Sequence, residues 1–239
     1  MKTATRAGAF DILRRSLNSP SMHRPLLLTT FAAALFLAGC SSMEYAVKEK
    51  FGIHKRDILV ARVQDARESQ DAAKEQFKTA LEQFIELTGA DAGELKARYD
   101  KLSAAYDRSE SRAKAVRDHI SEIETVAAAL FREWEGELGQ YSDQNLRRIS
   151  EGQLRDTQGR YTELIGVMQR TSARMDPVLA RFKDQVLFLK HNLNAQVIAQ
   201  LGTTANTLKG DVSRLITEME ASIREADEFI NAMKTTPGS

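Results

Sequence analysis

Residues 95–134 read LKARYDKLSAAYDRSESRAKAVRDHISEIETVAAALFREW, and the spacing inside this stretch decides the fold. Leu95, Tyr99, Leu102, Tyr106, Ser109, Ala113, Val116, Ile120, Ile123, Ala127, Leu130 and Trp134 follow one another at alternating steps of four and three. On an α-helix that spacing aligns them along one stripe, whereas a strand, alternating at every second residue, would scatter them over both faces. Asp91 with Glu94 three residues later reads as a capping box, so the helix is expected over about 91–138. At about 1.5 Å per residue it would extend roughly 70 Å, longer than a compact globule needs, so the expected body is elongated.

The same four-three seam recurs on both sides. Upstream it passes through Leu59, Val63, Ala66, Gln70, Ala73, Phe77, Ala80, Phe84 and Leu87, which predicts a helix over about 54–88 closed by Gly89 as a C-cap. Downstream it weakens where Gly136, Gly139, Gly152 and Gly159 dilute it; a turn is expected near Gly139 to Ser142, with Ser142-Asp143 offering the next N-cap. It is firm again at Tyr161, Ile165, Met168, Ser172, Met175, Leu179, Phe182, Val186, Leu189 and Leu193. A helix over about 143–200 follows, either kinked at Pro177 or divided there with Asp176 as a cap. After a break at Gly202-Thr203-Thr204, Leu208, Val212, Leu215, Met219, Ser222, Ala226, Phe229 and Met233 carry a fourth helix over about 203–233, and the companion row Ile216, Ile223, Ile230 widens its apolar face. A face that broad packs against two neighbours. Short connections make successive helices antiparallel, and Ala66, Ala73, Ala113 and Ala127 permit close approach. The fold class is all-α: an elongated antiparallel bundle of three or four long, coiled-coil-like helices over 54–233, followed by a tail at 234–239.

The only prolines are Pro20, Pro25, Pro177 and Pro237, in keeping with long helices. The single cysteine, Cys40, rules out an intramolecular disulfide. It ends an apolar run, Leu26 to Leu37, that is too short to span a membrane as a helix but fits the central region of a signal peptide. Leu37-Ala38-Gly39-Cys40 matches the lipobox of bacterial lipoproteins. That resemblance implies cleavage before Cys40, lipid on its sulfur and often on its freed amine, and stable anchoring through two or more acyl chains. Residues 1–39 are then a signal peptide and 40–53 a lipidated N-terminus with a short tether. Ser41 after the cysteine resembles the enterobacterial pattern of export to the outer membrane, so a periplasm-facing outer-membrane anchor is expected. Residues 1–21 form an unusually long basic forerunner, and Met22 would start a leader of ordinary length.

The leader removes Lys2, Arg6, Arg14, Arg15 and Arg24 but only Asp11, so the formal charge of +1 becomes −3 (34 − 5 basic against 33 − 1 acidic). Such a body has no electrostatic reason to hold nucleic acid.

No constellation of a known chemistry emerges. Di-metal bundles need Glu-x-x-His pairs, and none occurs; His119 precedes Glu122 by one turn, a spacing that fits a solvated flank pair better than a metal ligand set. There is no Gly-x-Ser-x-Gly elbow and no phosphate-binding Gly-x-x-x-x-Gly-Lys-Ser/Thr loop. Glu133, Glu135 and Glu137 are spread apart by their alternation on a helix, which suggests a solvated rim. Trp134 continues the seam as a core aromatic near a bundle end, its indole N–H needing a partner. The polar side of the last helix has more acids than bases, the wrong charge for anionic lipid, so burial of its apolar face is expected. No catalytic, cofactor or metal residue is expected, and the chain is expected not to be an enzyme.

The lipobox followed by about 200 residues of helix, including Lys48-Glu49-Lys50-Phe51-Gly52-Ile53-His54-Lys55-Arg56-Asp57, resembles a family of uncharacterised proteobacterial lipoproteins classed as a domain of unknown function. The resemblance implies the anchor and the helical fold, and no activity or ligand. A non-enzymatic structural or adaptor protein of the cell envelope is the leading expectation. It would meet the membrane through Cys40 and either bind a protein partner or self-associate through its seams. The alternative is a periplasmic carrier or chaperone for an apolar ligand or client, using a groove near 136–159.

Overall fold

Two long stripes of apolar side chains meeting face to face explain how each helix here is held. The structure, a computed structural model, describes residues 55–235, all within the compact unit Lys48–Ser239. Among the described residues there are four long helices: α1 (Lys55–Thr88), α2 (Leu95–Leu138), α3 (Gln144–His191) and α5 (Gly202–Thr235). A single short helix, α4 (Ala195–Ala199), lies between α3 and α5, and no strand occurs among the described residues.

The helices form a ring of neighbours, α1 against α2, α2 against α3, α3 against α5 and α5 back against α1. Cross-helix contacts fix their directions. Lys55 Nζ lies 2.6 Å from Glu133 near the end of α2, while Arg98 near the start of α2 meets Glu86 near the end of α1 at 2.7 Å. Arg117 of α2 pairs with Asp176 of α3, and Gln158 of α3 donates to Glu135 of α2 at 3.0 Å. Arg56 donates to the Met233 carbonyl at 2.7 Å and Arg67 pairs with Asp227, joining the start of α1 to the end of α5. Every adjacent pair is therefore antiparallel, as short connections require.

The seams are the core. All nine seam residues of α1 are buried, from Leu59 to Leu87, and so are the eight of α5 from Leu208 to Met233. In α2 only Tyr99 and Trp134 remain half-exposed. Ala66, Ala73, Ala113 and Ala127 are fully enclosed, which lets backbones approach while Phe77, Phe84 and Phe182 fill the space between them. Ile223 and Ile230 of the companion row are buried as well, so the broad face of α5 does pack against both α1 and α3.

Three local readings are corrected, and one alternative is decided. The second helix opens at Leu95, not Asp91: Glu94 makes no side-chain cap and its N–H instead closes a turn onto the Asp91 carbonyl. Gly93, a poor helix former, sits where the first turn would have been. The third helix ends at His191 rather than 200, because Asn192 stops it and Asn194 caps α4 by accepting from the Val197 N–H. Gly202 starts α5 rather than breaking the chain; the turn falls at Gln200-Leu201, and the Ala205 N–H reaches the Leu201 carbonyl. Of the two alternatives at Pro177 the single helix holds: α3 runs through it, with Asp176 inside the helix and paired with Arg117, and the division capped by Asp176 does not occur.

Candidate functional site

Cys40 and the cleavage motif Leu37, Ala38 and Gly39 lie outside the described residues, as do the tether 40–53 and the tail from 236. Within the described residues the apolar material left over after the core is filled marks the surfaces open to a partner. The exposed large apolar side chains are Ile85, Leu146, Ile149, Leu187 and Phe188. Four of these five stand in two pairs on α3, separated by about 40 residues, or roughly 60 Å along one helix.

The first pair belongs to the tip where α2 turns into α3. Asp143 caps α3, its carboxylate accepting from the N–H groups of Asn145 at 2.7 Å and Leu146 at 3.2 Å. This fixes the first turn, and Leu146 and Ile149, three residues apart, share its outer face at 51% exposure each. Arg147 and Arg148 flank them; Arg147 reaches Glu151 at 2.9 Å and Arg148 donates to the Asn145 side-chain oxygen at 3.4 Å. Beneath them the Trp134 indole N–H donates to Ser150 Oγ at 2.8 Å, and the Tyr141 hydroxyl lies 3.5 Å from the same oxygen. The partner that Trp134 needed is thus a serine on the facing helix.

The second pair, Leu187 and Phe188, is 53% and 47% exposed near the C-terminus of α3, between the buried Val186 and Leu189. Between the two pairs a groove runs along α3 and α5. Val167, Thr171, Pro177 and Ala221 line it, with Arg170, Arg174 and Glu218 at its edge. Pro177 has no N–H to offer the Ala173 carbonyl one turn back. The groove continues past Arg181 and Arg214, which hold the nearly buried Asp211 between them.

The other residues singled out by sequence separate. Glu133 pairs with Lys55, Glu135 accepts from Gln158, and the two point to different helices. His119 Nδ1 lies 3.5 Å from Glu122, whose carboxylate also meets Arg62 at 3.5 Å, so Glu122 is shared with an arginine of another helix. Among the described residues no three His, Cys, Asp or Glu side chains gather as metal ligands. No described helix is long and apolar enough to cross a membrane. The stretch 144–159 is helical, and Ser150, Leu154 and Thr157 are buried in it.

Titration is perturbed at a few places. Burial, aided by the neighbouring Glu228 and Glu163, raises the Glu225 carboxyl above its ordinary value. A hydrogen bond from Lys74 lowers Asp71 and raises Lys74 in return. Tyr161, packed edge-on against Phe131 with ring centroids 5.4 Å apart, is raised by burial and by Glu124.

The four-three seam does not mark Leu146, Ile149, Leu187 or Phe188. The signal was available: each is a large apolar residue off the four-three series of an otherwise polar outer face. No curated protein and no solved structure matches the chain. A family model described as "Protein of unknown function (DUF2959)" matches residues 44–233, so the chain belongs to that family.

Proposed function

We propose that this protein is a membrane-anchored lipoprotein of a proteobacterial cell envelope, held by lipid on Cys40 and facing the periplasm from the outer membrane. It acts as a non-enzymatic structural or adaptor protein. The observation that carries the adaptor reading is the placement of surplus apolar surface: the seams are spent on one another inside one chain, while Leu187 and Phe188 stand exposed far along α3 from the start of α1. A rigid helix with a sticky pair at the end away from its tether suits a protein that holds a partner off the membrane.

Two measurements separate the parts of this reading. Mass spectrometry of the peptide Cys40–Lys48 from the protein made in its native envelope reads the anchor. A diacylglyceryl mass on Cys40 is expected, and an unmodified cysteine would end the lipoprotein reading. For the adaptor role, a photo-crosslinking residue at Phe188 in the full chain is expected to capture one discrete protein, with capture lost in Leu187→Asp. Crosslinking no stronger than from the exposed Lys183 would count against it.

A further inference from the structure

We propose that the α2–α3 tip is a membrane-contact surface, in which Leu146 and Ile149 enter the headgroup boundary of an anionic leaflet while Arg147 and Arg148 meet lipid phosphates. The inference rests on the anchored reading above and adds an orientation to it.

The chemistry of the tip is that of an interfacial contact. Two half-exposed aliphatic side chains share one face, and a guanidinium stands on either side of it. Arg147 shares an exposed pairing with Glu151, and Arg148 donates only to a neutral amide among the described residues. An arginine with such partners can pass its donors to a phosphate at little loss, and its planar fork suits that geometry. Trp134 and Tyr141, both half-buried, lie just behind with their polar atoms gathered on Ser150. Amphipathic rings of this kind concentrate at the level of lipid headgroups.

The chain brings the membrane to this end and not the other. Fourteen residues, and so fifteen residue steps, separate Cys40 from Lys55, a reach of at most about 50 Å when fully extended. Lys55 is joined to Glu133, next in sequence to Trp134, and Trp134 is bonded to Ser150, next to Ile149. The point where the tether enters the bundle is therefore one contact chain away from the apolar pair. Two aliphatic side chains are too few to hold a protein on a bilayer, but an anchor that confines them near the surface turns docking into an intramolecular event. The tip thus orients the bundle, and the lipid retains it.

Trp134 is the only tryptophan in the chain and serves as the probe. The full chain with a hexahistidine after Ser239 is held on vesicles by nickel-chelating lipid, so attachment does not depend on Cys40; α5 ends beside the start of α1, so this tether enters at the same end. The vesicles contain phosphatidylglycerol and phosphatidylcholine brominated near the headgroup. Trp134 emission is expected to fall by about one third relative to unbrominated vesicles, and the Leu146→Asn/Ile149→Asn variant to lose most of that quenching. Moving the probe with Trp134→Phe/Ile85→Trp is expected to abolish it. Equal quenching in wild type and double variant, or equal quenching of a probe at Ile85, would overturn the proposal. So would quenching that is unchanged when phosphatidylglycerol is replaced by neutral lipid. An unlipidated Cys40 with this quenching intact would end the anchored reading alone.

Discussion

Gln70 occupies a seam position between Ala66 and Ala73, fully enclosed, and neither its amide nitrogen nor its amide oxygen has a hydrogen-bond partner. A buried amide in that state gives up its hydration without recompense. Gln70→Met keeps the volume and removes the polar atoms, so it is expected to stabilise the bundle by about 1–3 kcal/mol. Urea denaturation followed by helical circular dichroism measures this, and a lower midpoint in the variant would mean that the amide is satisfied in solution. Glu225 makes the opposite kind of statement, because its cost depends on pH. Burial and the two neighbouring carboxylates raise it above its ordinary value of 4.5. Below that value the carboxyl is neutral in both folded and unfolded chains; as pH rises through the folded-state value, ionisation inside the bundle takes stability away. Glu225→Gln is expected to raise the melting temperature slightly at pH 7 and to leave it unchanged at pH 4. A gain at both values would trace the effect to something other than charge.

At the scale of the element, the two helix starts flanking α2 make a controlled pair. Asp143 accepts two backbone N–H bonds at the head of α3, whereas Glu94 at the head of α2 accepts none. Asp143→Ala should therefore cost about 1 kcal/mol and Glu94→Ala almost nothing, by chemical denaturation of each variant. Equal losses would show that the local sequence, and not the cap geometry, governs both ends. The same contrast separates what a sequence carries locally from what packing decides. Apolar spacing found the interior faces of α1, α2 and α5 residue by residue, because a helix that must bury a stripe has one way to arrange it. The same spacing runs through Ser150, Leu154, Thr157, Tyr161 and Leu164 of α3, but serine and threonine carry no hydropathy signal, and that part of the seam looked weak. Ser150 is buried because an indole on another helix needs an acceptor, and Thr157 because its hydroxyl can bond back to the Gln153 carbonyl. Such partners are set by packing and leave no periodicity. Helix ends are the other part that periodicity does not carry: Asn192 and Asn194 compete with the backbone for hydrogen bonds and stop α3 at His191, two residues before Leu193 closes the apolar series.

At the scale of the whole molecule, the ring of neighbours turns the seams of the described helices toward one another. Light scattering from residues 41–239 is expected to give the mass of one chain across a broad range of concentration. A dimer would mean that a surface outside the seams, with Leu187 and Phe188 the first to test, joins two chains. The exposed apolar pairs stay outside this ring, and their separation along one uninterrupted helix sets the distance over which an adaptor could work.

The ring carries one more consequence. Arg56, near the first described residue, is bonded to the carbonyl of Met233, near the last, although the two are 177 positions apart in the chain. Where the first and last helices of a bundle end side by side, the order in which its helices are synthesised is not stored in the packing. The bundle should tolerate circular permutation: joining the two ends with a short glycine-serine segment and opening the chain at the Gly89–Ala92 turn would leave each helix with the same two neighbours.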